Sequence, residues 1–290
     1  MESAHSPSLS SKKAEALIKL LDDPAPLVRR AVLDAFRAAG VEGIQLLRDL
    51  GEQTDSPEAP YARALLLELV GKDPLTQFVE FINSFHYELE TGCLMLDRTE
   101  FPDMNTGDCG LFLDDIARRA KELLVLPGTT IEKCRVLNRV IFHEYGFRGA
   151  VDDFEDPRNS FLHQALERRR GIPITLSIIY VLVAQRCQID VEPVGIPGRF
   201  MVGCYTEKAP FFIDTFEGGA FRSAGDIISM LRRNNLEADE RHFAPSPVGE
   251  ILCRCCRNLA NQYQQQNDAI RARRYADLVR EFEEAYRRHA

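Results

Sequence analysis

Apolar residues recur along this chain in two patterns. A helical period fills most of its length, and a short extended pattern occupies residues 191–215. Ala14–Leu21 has helical spacing and runs into Asp22-Asp23-Pro24, where proline enforces a break. Leu27–Phe36 resumes the period and stops at Gly40. Residues 42–50 and 60–70 predict a further helical pair across a polar loop at Thr54–Pro57, while residues 1–11, rich in Ser and Pro, read as a loose N-terminus.

From Pro74 to Gly149 the pattern stays helical. Phe78, Val79, Phe81, Ile82 and Phe85 form one stripe, and Leu111–Leu126 and Ile131–Tyr145 predict two amphipathic helices separated by Pro127-Gly128. Asp152–Asn159 is a polar, turn-rich loop, and Ser160–Arg169 fits a short helix ended by Gly171 and Pro173. Ile174–Cys187 is apolar on nearly every face, the mark of a buried central helix. Thr175 or Ser177 near its start is placed to satisfy first-turn amides. Val191–Gly195, Phe200–Tyr205 and Phe211–Thr215 predict an antiparallel meander turned at Pro197-Gly198 and Glu207–Pro210. After Gly218-Gly219 the chain is expected to return to helices, ending in Ala269–Ala290, whose alternating Arg and Glu predict a solvated, ion-paired face.

A chain of 290 residues, 45% hydrophobic, has room for one large domain or two modest ones with a real core. A formal charge of −8 argues against a nucleic-acid partner. No segment approaches the roughly 18 uninterrupted apolar residues of a membrane span. The start Met1–Pro7 has neither the cationic opening nor the apolar stretch of a signal peptide, so the cytoplasm is the expected compartment. The eight cysteines are then expected to be reduced, with Cys93, Cys134 and Cys187 acting as small buried hydrophobes. The cluster Cys253-Arg254-Cys255-Cys256 lacks a second ligand pair and its thiols diverge on a helix, so neither metal nor cofactor is expected.

Two resemblances add to this reading. Leu20-Leu21-Asp22-Asp23-Pro24 followed by Leu27-Val28-Arg29-Arg30-Ala31 resembles a HEAT-type helical repeat, which buries its faces only by stacking. The region 12–73 is read as such, either as a binding surface or as a plain helical appendage. Further along, Arg158–Leu162, Glu167–Ser177, Gly195–Phe200 and Phe212–Gly219 together resemble the SirB branch of the transglutaminase-like superfamily, over residues 75–265. The resemblance implies an α+β fold, mostly helical, whose transglutaminase-like (papain-like) core sets a buried helix on a small antiparallel sheet. The domain is placed at 74–265, with a charged C-terminal helix at 266–290.

In that superfamily a cysteine opens the buried helix, a histidine follows on a strand, and an aspartate orients it. Matched onto this chain, those positions are Pro173, Arg199 and Asp214. Proline supplies no nucleophile, and a guanidinium cannot act as a general base near neutrality. Arg199 and Asp214 are left with an electrostatic role, either a structural ion pair or a pair with donors spare for a small anion. Asn159, Arg170, Thr175 and Ser177 complete the candidate cleft. Arg168-Arg169-Arg170 is expected to hold Asp152, Asp153, Glu155 and Asp156 by salt bridges, and Arg271–Arg274 to be a solvated helix face.

Two other thiols stand as candidates to replace the lost one. Thr106-Gly107-Asp108-Cys109 looks like a nucleophile motif but lies upstream of the block, with His143 and His163 read as helix residues and none placed opposite. Cys204 alternates away from Arg199 and reads as core. The expectation is a non-catalytic binding or regulatory protein on a degenerate domain, with a protein partner. The alternative is an unconventional hydrolase or transferase using the residual cleft.

Overall fold

The computed structural model describes residues 11–289, apart from residues 24, 54, 55, 71, 72 and 238. Most of the expected loose N-terminus, the break at Pro24 and part of the 54–57 loop lie outside the described residues. The chain forms two compact units, residues 1–73 and 74–290.

The first unit is helical: α1 (Ser11–Ile18), α2 (Pro26–Ala38), α3 (Gly40–Glu52) and α4 (Ala59–Val70). Proline opens α2 with its φ already set for a helix, and Gly40, at φ +57°, takes the turn into α3. Leu17, Val32, Leu33, Phe36, Leu47, Leu50, Ala62 and Leu65 bury the apolar stripes of all four helices against one another.

The second unit is an α+β domain, built around a helix with no solvent face. Its elements begin with α5 (Pro74–Ser84), α6 (Leu89–Arg98), α7 (Thr106–Leu123) and α8 (Thr130–Asn138), which runs on into a π-helical turn over Arg139–Glu144. The strand β1 (Arg148–Gly149) and β2 (Arg170–Gly171) make a short parallel bridge on either side of α9 (Leu162–Arg168). Helix α10 (Pro173–Arg186) follows, and every residue from Ile174 to Ala184 is buried. It packs on α7, α9 and the sheet β3 (Glu192–Ile196), β4 (Arg199–Cys204), β5 (Phe211–Asp214) and β6 (Ala220–Ser223), an antiparallel meander in sequence order. Helices α11 (Ala224–Arg233), α12 (Val248–Gln265) and α13 (Ala269–His289) close the unit, the last two as a hairpin.

Two elements differ from the sequence reading, and a third adds to it. The chain does not return to helix directly after Gly218-Gly219. Both glycines take positive φ, +65° and +83°, and turn the backbone onto β5 as a fourth strand, too short and half-exposed to show alternation. Helix α7 starts at Thr106 rather than near Leu111, because Asn105 caps it by accepting from the Gly107 amide at 3.1 Å. The charged final helix has the expected solvated, ion-paired face, and a second face that the sequence reading did not name. Tyr275, Leu278, Phe282 and Ala285 form a buried stripe at helical spacing against α12 and α5.

Asn138 donates to the Gly219 carbonyl at 2.7 Å, and a Cβ built on Gly219 would stand 2.5 Å from the Asn138 amide carbon. Gly218 has open space around its missing Cβ. Gly218→Ala is therefore expected to cost about 1–2 kcal/mol for left-handed backbone alone. Gly219→Ala should cost visibly more, because backbone must also move off Asn138. Urea denaturation of the two variants side by side checks the order.

Candidate active site

The first turn of α10, the β3–β4 hairpin and the end of β5 converge at one edge of the sheet. Pro173 occupies the first position of α10, where its missing N–H costs no hydrogen bond, and Ile172 precedes it without a side-chain cap. The hairpin turns at Pro197-Gly198, with Gly198 at φ +74°, and delivers Arg199 as the first residue of β4. Asp214 is the last residue of β5 and is 1% exposed.

The structure brings Arg199 and Asp214 together. Arg199 Nη1 lies 2.5 Å from Asp214 Oδ2 and 2.8 Å from Glu217 Oε1, and Glu217 in turn contacts Arg222. Sequence matching did not single out Glu217. Its backbone N–H also donates to Asp214 Oδ1, at 3.3 Å. Burial pushes the Asp214 carboxyl above its ordinary range, with the adjoining guanidinium pulling the other way. Hydrogen bonding to Arg199 holds Glu217 below the ordinary range.

The remaining cleft candidates go elsewhere. Asn159 is wholly buried, donates to the Asp153 carbonyl at 2.6 Å and accepts from Arg168 at 3.1 Å. Arg170 reaches Asp153 at 2.9 Å and Asp152 at 3.9 Å. Both organise the acidic loop. Ser177 lies one helical turn into the core, with its hydroxyl 2.9 Å from that of Thr215, and Thr175 is buried with no partner for its hydroxyl among the described residues. None of the four lines the cavity beside Pro173.

That cavity measures about 280 Å³. Ile172, Pro173 and Ile174 form one wall, the Gly198–Phe200 turn another, and α12 a third through Arg254, Asn258, Asn261, Gln262 and Gln265. Residues 258, 261, 262 and 265 share one helix face, so the wall is a ladder of carboxamides. Arg254 donates to the carbonyls of Ile196 and Arg199 at 3.2 and 3.0 Å, its guanidinium carbon 5.3 Å from the Phe200 ring centre, which ties α12 to the hairpin. Arg254 was missed because it sits in the Cys253–Cys256 run, where the cysteines draw attention to metal chemistry. Those three thiols are buried and held above their ordinary value by burial. Among the described residues no group of three or more His, Cys, Asp and Glu is placed to hold a metal.

The three adjacent arginines divide. Arg168 and Arg170 hold the acidic loop, Arg168 contacting Asp153 at 3.0 Å and Asp156 at 3.5 Å. Arg169, at φ +56°, swings away and lays its guanidinium 3.8 Å from the centre of the Phe112 ring. Cys109 sits buried in the first turn of α7, and His163 lines the same cavity of about 450 Å³. His143 is exposed in the π-helical turn, and Cys204 is buried as expected.

A sequence model described as the transglutaminase-like superfamily matches residues 108–257. A protein of Xylella fastidiosa (strain 9a5c) named "UPF0162 protein" is 32% identical over 216 residues, covering 71% of this chain and 75% of its own. A "UPF0162 protein" of Vibrio cholerae serotype O1 is 24% identical over 132 residues, 45% of this chain and 49% of that one. Mouse "F-box only protein 21" is 36% identical over 66 residues, 23% of this chain and 10% of that protein. No solved structure matches.

Arg199→Ala leaves Asp214 buried without its cation. Since Arg199 is itself 35% exposed, the expected loss is about 1–3 kcal/mol at pH 7, below that of a fully buried pair. The sign with pH follows from the raised Asp214 carboxyl. A folded-state pKa above the unfolded value contributes stability that is present at low pH and lost as pH rises through the folded value. The penalty of Arg199→Ala should therefore shrink between pH 7 and pH 4, as read from urea midpoints at both.

Proposed function

The chain belongs to the transglutaminase-like superfamily and to the UPF0162 family, and from that premise we propose that its superfamily cleft works by binding rather than by thiol chemistry. The observation that carries this reading is the Arg199–Asp214–Glu217 cluster. An imidazole held by Asp214 would shuttle a proton. A guanidinium held there stays charged and takes none. Pro173 at the helix start adds a position with neither sulfur nor amide hydrogen.

In this reading the protein is a binding or regulatory module of the SirB type. Its cleft presents the carboxamide face of α12 and the Arg254 guanidinium to a ligand. The helices of residues 12–73 are a HEAT-like surface for a protein partner in the cytoplasm. Among the described residues no helix is long and apolar enough to cross a membrane. A small anion at Arg199 competes with two carboxylates already in contact with that guanidinium, so the binding role rests more on the carboxamide wall than on Arg199. The alternative, an unconventional hydrolase or transferase, would have to use hydroxyls such as Ser177 that lie in the core.

Restoring the lost groups tests the premise. Pro173→Cys with Arg199→His is expected to create a thiol at residue 173 that reacts with iodoacetamide at neutral pH at least about tenfold faster than in Pro173→Cys alone, since a positioned base contributes that much or more. Equal reactivity in the two variants would mean that the scaffold no longer aligns the pair. A hydrolytic activity of the native protein that disappears in Asp214→Asn or Ser177→Ala, with fold retained, would establish the alternative.

A further inference from the structure

The cavity beside Pro173 holds a cation that the fold does not neutralise. Arg254 is half-buried, and both of its hydrogen bonds run from Nη2 to carbonyls, those of Ile196 and Arg199. Among the described residues no carboxylate pairs with it, and no acceptor meets its Nε or Nη1. Gly195 leaves the room the guanidinium occupies, since a Cβ there would stand 2.8 Å from Nη1. Burial holds Arg254 below the ordinary arginine value, yet a guanidinium keeps its charge near neutrality. Arg199, across the cavity, already touches two carboxylates.

The rest of the lining sorts into two kinds of wall. Asn258, Asn261 and Gln265 continue along α12 from Arg254, and their side chains have no hydrogen-bond partner among the described residues. Gln262 is committed, donating to the Phe154 carbonyl at 3.2 Å and accepting from Ser160 at 2.6 Å. Asn258 is half-buried beside Arg254, whereas Asn261 and Gln265 are exposed, so the row climbs from the interior to the rim, where Glu155 also stands. Ile172, Pro173 and Ile174 make the opposite wall apolar.

We propose that this cleft binds a small acylated amino acid, with its carboxylate at Arg254, its amide along Asn258 and Asn261, and an apolar side chain against Ile172, Pro173 and Ile174. The inference rests on the reading of the cleft as a binding site and names what it takes. A half-buried cation without a counterion calls for an anion, and a carboxylate makes charge-assisted bonds with it. A carboxamide offers both donor and acceptor, the complement of an amide whose own two groups need partners once they leave water. Glu155 at the rim disfavours a second negative charge, which selects a monoanion over a phosphate ester. A sugar acid would turn hydroxyls onto the apolar wall and leave them unpaired. The volume of about 280 Å³ lies at the low end for small-molecule sites.

The test is titration calorimetry of the full chain with N-acetyl-L-alanine near neutral pH. Saturable binding is expected. N-acetyl-L-alaninamide, which lacks the charge, and propionate, which lacks the amide, should each bind at least about tenfold more weakly. Arg254→Gln, which keeps donors for the hairpin carbonyls, and Asn258→Ala should each raise the Kd about tenfold. The Asn258 side chain bonds nothing in the fold, so that variant serves if Arg254→Gln does not fold. N-acetyltetraalanine separates two sources of the same chemistry: equal affinity assigns the end of a peptide chain, and exclusion assigns a free acylated amino acid. The proposal is overturned if N-acetyl-L-alanine shows no saturable binding, or if the alaninamide or inorganic phosphate binds as tightly. It is also overturned if folded Asn258→Ala protein binds unchanged. Release of acetate from the bound ligand would instead sink the non-catalytic reading of the cleft and leave this site standing.

Discussion

Helix α10 can leave no face in water, since Ile174 to Ala184 are all buried. Removing each Ile, Leu or Val side chain from water is worth about 1.5–3 kcal/mol, so the run is a large contribution to the core of the second unit. Helices α7 and α9 cover one side and the sheet covers the other. This enclosure brings the start of α10, the β3–β4 hairpin and the end of β5 to one place, whatever residues occupy it. The enclosure thus fixes where Pro173, at the start of α10, and Arg199, at the start of β4, stand relative to Asp214 at the end of β5.

Two buried carboxylates show how the same fold treats charge in two ways. Asp214 lies against a guanidinium that is shared with Glu217, and Asp97 lies against an imidazole and two backbone amides. Burial raises both carboxyls. The first arrangement is locked, because its cation does not exchange protons. In the second the carboxylate also caps the first turn of α9, so positioning the ring and stabilising the fold are one contact.

The elements that sequence made legible are those whose patterns are local. Continuous apolarity identified α10, and alternation with Pro197-Gly198 identified the hairpin. What escaped depended on partners distant in the chain. Asp97 and His163 are 66 residues apart, and nothing in either neighbourhood announces the other. The start of α7 was hidden by Gly107 and Gly110, poor helix formers whose deficit the Asn105 cap offsets. Strand β6 was hidden by its length, and the buried stripe of α13 by the charges that flank it. Of the matched triad positions, the Arg199–Asp214 contact could be read from the superfamily's spacing, whereas Glu217 and Arg254 emerge only once the turn after β5 and helix α12 are folded against the hairpin.

The left-handed backbone at Arg169 has a consequence for how the molecule looks to a polyanion. Three consecutive arginines would ordinarily present a strip of like charge. One residue at φ +56° sends the middle guanidinium onto the Phe112 ring, while its neighbours pair with Asp153 and Asp156. The three guanidiniums thus share no one partner, and a single torsion angle breaks up what the sequence writes as one basic tract.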